Sequence, residues 1–121
     1  MARNYWEIRG AKDWGKRSLM ARYLFAAEMC QDFELPAITD VGCGYGYGSQ
    51  LLAVRAQRVV GIDSDEDAIA KASRWNALDN LYFEHTKFRV ADDLPPETDI
   101  VVCLEFIEHI EDVPGFVREI Y

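Results

Sequence analysis

Apolar residues recur at helical spacing over Lys16–Cys30, where Leu19, Met20, Tyr23, Leu24, Ala27 and Cys30 share one stripe. Asp13 stands where a cap or lead-in residue belongs, and Asp32 to Pro36 reads as a turn into a strand. From Ala37 the chain alternates between two periods. Ala37–Val41 is a short β-like run, and a glycine cluster follows it. Ser49–Gln57, with Leu51, Leu52, Val54 and Ala56, predicts a helix, and Arg58–Asp63 a second strand. Ser64–Asn76 predicts a helix with Ser64 as N-cap and Asp67 three residues on, close to a capping box. Asp65, Glu66 and Asp67 also complement the positive end of that helix. Leu81–His85 is a third, weaker strand, and Asp92 to Thr98, with Pro95 and Pro96, is a loop. The apolar run Asp99–Leu104 has the look of a strand buried on both faces. Glu105–Glu111 opens a helix or turn, and Pro114–Tyr121 a further helix with proline in its first turn.

Strands alternating with helices through short connections predict βαβ units and an α/β, Rossmann-like parallel sheet with helices on both faces, in the strand order 3-2-1-4. The organisation is one domain over residues 1–121: an N-terminal helical segment, 1–36, and a core, 37–121. Such sheets bind ligands at the carboxyl ends of their strands.

Composition narrows the classes. The 121 residues carry 13 Lys and Arg against 21 Asp and Glu, a net charge of −8 that opposes a phosphate backbone as partner. Half the residues are hydrophobic, too many for a disordered chain. No run is long enough to span a membrane. The opening MARNYWEIRG has no apolar stretch of a secretory signal. Cys30, Cys43 and Cys103 form no paired spacing and read as small buried hydrophobes in a reducing cytoplasm, a nucleophilic thiol being the alternative.

The chemistry gathers around ITDVGCGYGYGS, residues 38–49. Asp40 closes the first strand, and Gly42, Gly44, Gly46 and Gly48 follow at every second position. Glycine allows positive φ and close backbone approach, so this loop can wrap a ligand, and the helix behind it offers unpaired N–H groups. The dinucleotide pattern G-x-G-x-x-G fails in every register. From Gly42 the third glycine is replaced by Tyr47, from Gly44 by Ser49 and from Gly46 by Leu51. No Gly-Lys-Ser/Thr is present either, so a phosphate loop of the NTPase kind is excluded. Asp63, at the end of the second strand, lies 21 residues after Gly42, where a carboxylate can accept both hydrogen bonds of a ribose diol.

Asp40-x-Gly42-x-Gly44-x-Gly46 together with Asp63 resembles the class I S-adenosylmethionine-dependent methyltransferases. The resemblance covers about residues 37–113. It implies S-adenosylmethionine as cofactor, with Asp40, Gly42, Cys43, Gly44 and Gly46 around its methionine part, Asp63 on its ribose, Ser64 along its adenine, and Leu104 completing the set. In that family Asp40 would help hold the cofactor's amino group, directly or through water. The acidic residue that often meets the adenine amino group is missing, since its place falls at Thr86 or Lys87; Asp92 and Asp93 lie a few residues on.

After the fourth strand, Glu105, Glu108 and His109 form Glu-x-x-Glu-His, one face of a helix. Similar segments occur in ubiquinone-type O-methyltransferases and in small-RNA 2′-O-methyltransferases, where they are linked to a metal. Three readings stay open: packing beside the cofactor, proton handling by His109 or Glu105 as catalytic residues, and a divalent ion on Glu105, Glu108 and His109. Tyr5, Trp6 and Trp14, in a basic stretch, are candidates for a lid over the cofactor or for edge packing.

The resemblance thus implies methyl transfer to an unidentified acceptor, a small molecule rather than nucleic acid. The alternatives are a non-catalytic cofactor-binding or assembly module, a fragment needing a partner chain, and, less favoured, a metal-dependent RNA 2′-O-methyltransferase. Set against the seven-stranded family fold, the sheet is incomplete after its fourth strand. The apolar edge Ile100–Leu104 is therefore expected to be covered by the terminal helix, a homodimer contact or a partner.

Overall fold

The computed structural model describes residues 14–88 and 93–104, with Pro114 and Arg118. Helix α1 spans Trp14–Met29 and ends in a 3-10 turn, Cys30–Asp32. Strand β1, Ala37–Val41, is followed by helix α2, Tyr47–Ala53, strand β2, Arg58–Asp63, and helix α3, Glu66–Trp75. Strands β3, Leu81–His85, and β4, Ile100–Val102, complete the described elements. All pairings are parallel and the order is β3-β2-β1-β4, as the alternating pattern predicts.

Strand β1 is buried along its whole length because it has a neighbour on each side and side chains over both faces. One face packs Ile38, Val59, Leu81 and Val102 under Tyr23 and Leu52, that is, under α1 and α2. Right-handed crossovers place α2 and α3 on the same side. The opposite face, with Val41, Val60 and Ile62, is covered among the described residues by Phe88 and Leu94 of the segment between β3 and β4. No helix among the described residues is long and apolar enough to cross a membrane.

Several boundaries differ from the sequence expectation, and those of α2, α3 and β4 have local reasons. Helix α2 begins at Tyr47 rather than Ser49. Its first hydrogen bond, Gln50 N to Gly46 O (3.0 Å), starts from the left-handed Gly46. It stops at Ala53 because the Asn80 amide takes the carbonyls of Ala53 and Ala56, at 2.8 and 3.1 Å. Helix α3 is capped by Asp65, not Ser64. The Asp63 carboxylate holds the Asp65 N–H at 2.9 Å and keeps the chain extended one residue further, and Asp65 Oδ1 then accepts from Asp67 N and Ala68 N. Strand β4 is limited to Ile100–Val102. Beyond Val41 the partner strand leaves toward β2, with Gly42 N and Cys43 N both donating to Ile62 O, so Cys103 and Leu104 find no ladder.

The expected cover for the β4 edge lies outside the described residues, apart from Pro114 and Arg118, both helical. What the structure shows there is an apolar groove of about 690 Å³ between α1 and β4, lined by Phe25, Met29, Phe33, Ile100 and Leu104 among others.

Candidate functional site

The carboxyl ends of β1, β2, β3 and β4 bring four short segments together: the glycine loop, Asp63–Ser64, His85–Thr86 and Cys103–Leu104. The loop is held from several sides. Its start is tied to Ile62 O, its turn closes through Gly46 N to Cys43 O (3.0 Å), and the buried Asn76 amide donates to Tyr45 O at 2.9 Å. The Tyr45 ring tilts against Trp75, 5.6 Å between centroids, and Lys71 lies 5.6 Å from the Tyr45 ring centre.

Three of the four glycines that the sequence singles out differ in their surroundings. Gly46 has φ of +85° and sits so close to Phe83 that an added Cβ would lie 2.6 Å from that ring. Gly48 is already helical; there a Cβ would fall 2.2 Å from the Tyr23 ring, so the glycine makes room for α1. Gly44 differs from both: no atom lies within 4 Å of its Cβ position, so its backbone faces open space.

Asp63 is half-buried at the end of β2. Its Oδ2 accepts from Gly44 N at 2.9 Å and its Oδ1 from Asp65 N at 2.9 Å. The carboxylate therefore joins the two loops and still turns a rim toward solvent. Ser64 beside it is exposed, and its carbonyl lies 3.0 Å from His85 Nε2. His85 and Asn76 were not among the residues singled out from sequence; the only signal was their position at element ends.

Asp40, which the resemblance sets at the cofactor's amino group directly or through water, is enclosed in the structure. It is 0% exposed, the penultimate residue of β1, with Oδ1 accepting from Tyr23 Oη (3.0 Å) and Oδ2 from Ser49 Oγ (2.6 Å). Both carboxylate oxygens are thus engaged by hydroxyl donors, one from α1 and one from α2. Burial pushes its carboxyl up to about 7; the Ser49 and Tyr23 hydrogen bonds pull the other way, and the Asp63 charge adds to the rise. Linkage then gives a definite pH dependence. Between the unfolded value of 3.8 and about 7 the folded chain binds more protons than the unfolded one, so stability declines as pH rises through that window and is level above it. Urea midpoints of Asp40→Asn and the parent chain measured from pH 4 to 8 should therefore diverge, with the parent losing ground as pH rises. Parallel curves would contradict the buried, shifted carboxyl.

The thiols are not poised for attack. Burial raises Cys43 strongly, Cys103 to about 11, and Cys30 as well, so at neutral pH all three stay protonated. Of the adenine-side positions, Thr86 donates its N–H to Asp63 O, Lys87 is exposed and Asp93 is half-buried, while Asp92 lies outside the described residues. Leu104 is half-buried against the core of the α1 face. Glu105, Glu108 and His109 lie outside the described residues, as do Tyr5 and Trp6; Trp14 opens α1. Among the described residues no three His, Cys, Asp or Glu side chains are grouped to hold a metal ion.

Comparison with known proteins adds to this geometry. A family profile described as "Methyltransferase domain" matches residues 39–121. The ubiquinone biosynthesis O-methyltransferase of Pseudomonas putida (strain F1) is 34% identical over 87 residues, 69% of this chain and 38% of that protein. Its counterpart in Pseudomonas entomophila (strain L48) is 36% identical over the same shares. The chain thus spans less than two-fifths of the length of these relatives. Among solved structures, magnesium protoporphyrin IX methyltransferase from Synechocystis PCC 6803, with bound S-adenosylhomocysteine, superposes with a TM-score of 0.71 at 20% identity, covering 92% of this chain and 56% of that one. The N-methyltransferase NodS from Bradyrhizobium japonicum WM9, also with S-adenosylhomocysteine, gives 0.66 at 21% identity over 93% and 57%. At these identities the likeness is one of fold.

Proposed function

The chain belongs to the class I S-adenosylmethionine-dependent methyltransferases, matched as a methyltransferase domain over residues 39–121, and on that premise we propose that its strand ends bind S-adenosylmethionine for methyl transfer to a small-molecule acceptor. The observation that carries the reading is the joint placement of Gly44 and Asp63. No atom lies within 4 Å of the Gly44 Cβ position, and the carboxylate that holds its N–H is only half-buried. A ligand with a ribose diol and no phosphate fits that pair, because the carboxylate accepts two hydroxyl donors and the loop offers no phosphate-binding lysine.

The loop residues Gly42, Cys43, Gly44 and Gly46 take the methionine end in this reading, Asp63 the ribose, Ser64 the adenine side, and Leu104 an apolar flank. Asp40 supports the loop from below. S-adenosylmethionine, when bound, supplies an electrophilic methyl group. The chain's own contribution is to orient donor and acceptor and to keep water away. Proton removal, where the acceptor needs it, is assigned to His109 or Glu105 on the sequence pattern. The acidic balance, −8, and relatives named for ubiquinone biosynthesis support a small acceptor over a nucleic acid.

Calorimetry with S-adenosylhomocysteine and, separately, NADH tests the cofactor. Heat of binding for the first and none for the second is the expected result. Silence with S-adenosylhomocysteine would remove the basis of the reading.

A further inference from the structure

The helix before the sheet reaches into the site at one atom. Tyr23, 3% exposed in the middle of α1, sends its hydroxyl across to Asp40 Oδ1 (3.0 Å), seventeen residues on. Its ring lies flat enough on Gly48 that no Cβ fits between them. Ser49, 0% exposed, holds the other oxygen at 2.6 Å. Both hydroxyls have one donor each, and both donate to the same carboxylate. Asp40 thus has one arrangement, fixed by two elements that flank the glycine loop.

We propose that Tyr23 is a positioning residue of the cofactor site, holding Asp40 ionised and in place beneath the glycine loop, so that the seating of α1 governs cofactor affinity. This rests on the reading of the strand ends as an S-adenosylmethionine site. Among the described residues, the other titratable groups facing Asp40 are Cys43 in the loop, Asp63 from β2 and Cys103 after β4, and burial and then the Asp40 charge raise both thiols. Asp63 opposes ionisation of Asp40, and burial opposes it further, whereas the hydrogen bonds from Ser49 and Tyr23 favour it. Removing the Tyr23 hydroxyl takes away one of two supports. The Tyr23 phenol, pushed well above 10 mainly by burial, remains a donor throughout the neutral range.

The test is S-adenosylhomocysteine affinity by calorimetry from pH 5.5 to 9 for the parent chain, Tyr23→Phe and Ser49→Ala, with thermal unfolding followed in parallel. The parent should bind more weakly as pH falls through about 7, where Asp40 takes up a proton. Tyr23→Phe should move that midpoint up by about one pH unit and weaken binding at pH 7 by about fivefold, while still unfolding cooperatively. Ser49→Ala should move it the same way. In an Asp40→Asn background, Tyr23→Phe should have no further effect on the pH profile. A Tyr23→Phe variant with the parent's affinity and midpoint would overturn the proposal, and so would a loss equal at every pH, which marks packing alone. If the parent itself does not bind at any pH, it is the cofactor reading that falls, and this proposal with it. Should Tyr23→Phe unfold, Tyr23→His at high pH, neutral and still a donor, must restore the parent's profile if the donor is what matters.

Discussion

Gly46→Ala is expected to lose S-adenosylhomocysteine binding by about 100-fold, the equivalent of about 3 kcal/mol, and to destabilise the fold as well. Two costs coincide at this residue. Its φ of +85° is a region where a side chain costs about 1–2 kcal/mol. The new methyl would also lie 2.6 Å from Phe83 Cζ and 2.8 Å from Asn76 Nδ2, an overpacking that costs about 1–3 kcal/mol. Phe83 is in β3 and Asn76 fixes Tyr45 O, so relief of the clash moves the loop itself. For a domain of this size the melting temperature should fall by about 10 °C. Gly44→Ala is the matched comparison. Its methyl would meet no protein atom, so the stability loss is confined to the backbone term of about 1–2 kcal/mol. Affinity should fall as steeply as for Gly46→Ala, because the methyl then occupies the ligand's side of the loop. Calorimetry beside thermal melts separates the two. Undiminished binding by Gly44→Ala would show that the ligand does not pass there.

The second large effect is expected at Asp63. Replacement by alanine removes two proposed hydrogen bonds from a charged acceptor to the ribose, each of a kind that contributes about 1.5–3 kcal/mol, so the dissociation constant should rise by about 100-fold or more. The change also frees Gly44 N and Asp65 N, which lose their acceptor at 2.9 Å. Asp63→Asn keeps one carbonyl acceptor and the side chain's shape, and should lie between the two. The charge has a further role: it raises the Asp40 carboxyl, so both replacements should bring that group back toward its ordinary range and shift the decline of stability to lower pH. Equal affinity for parent and Asp63→Ala would exclude this carboxylate as the ribose acceptor.

Much of this was legible in sequence because the relevant order is local. The strands β1, β2 and β3, their parallel pairing, the glycine loop and Asp63 all follow from local periods and from spacings of 21 or 22 residues between successive strands. The parts that were not legible depend on partners brought by the fold. Tyr23 counted as one more residue of an apolar helical stripe, and its hydroxyl acquires meaning only when α1 lies over Gly48. The depth of Asp40 was not legible either, because a strand-end position says nothing about burial. The Asp65 cap replaced Ser64 for a similar reason: both can cap, and the choice is made by the Asp63 carboxylate holding one particular N–H. Phe83, in the weakest of the strands by pattern, closes on Gly46 and Gly61 across the sheet.

The two hydrogen bonds of Asp63 have an entropic meaning. They tie Gly44 to the start of α3 through the chain's own atoms, and Asn76 and Ile62 fasten the loop on either side. Fixing a residue's backbone costs about 1–2 kcal/mol at room temperature. For the segment from Gly42 to Gly46 that cost falls on folding, when burial of β1 and β2 offsets it, and not on association. A loop held in this way by its own chain subtracts little ordering cost from the contacts that a ligand makes with it.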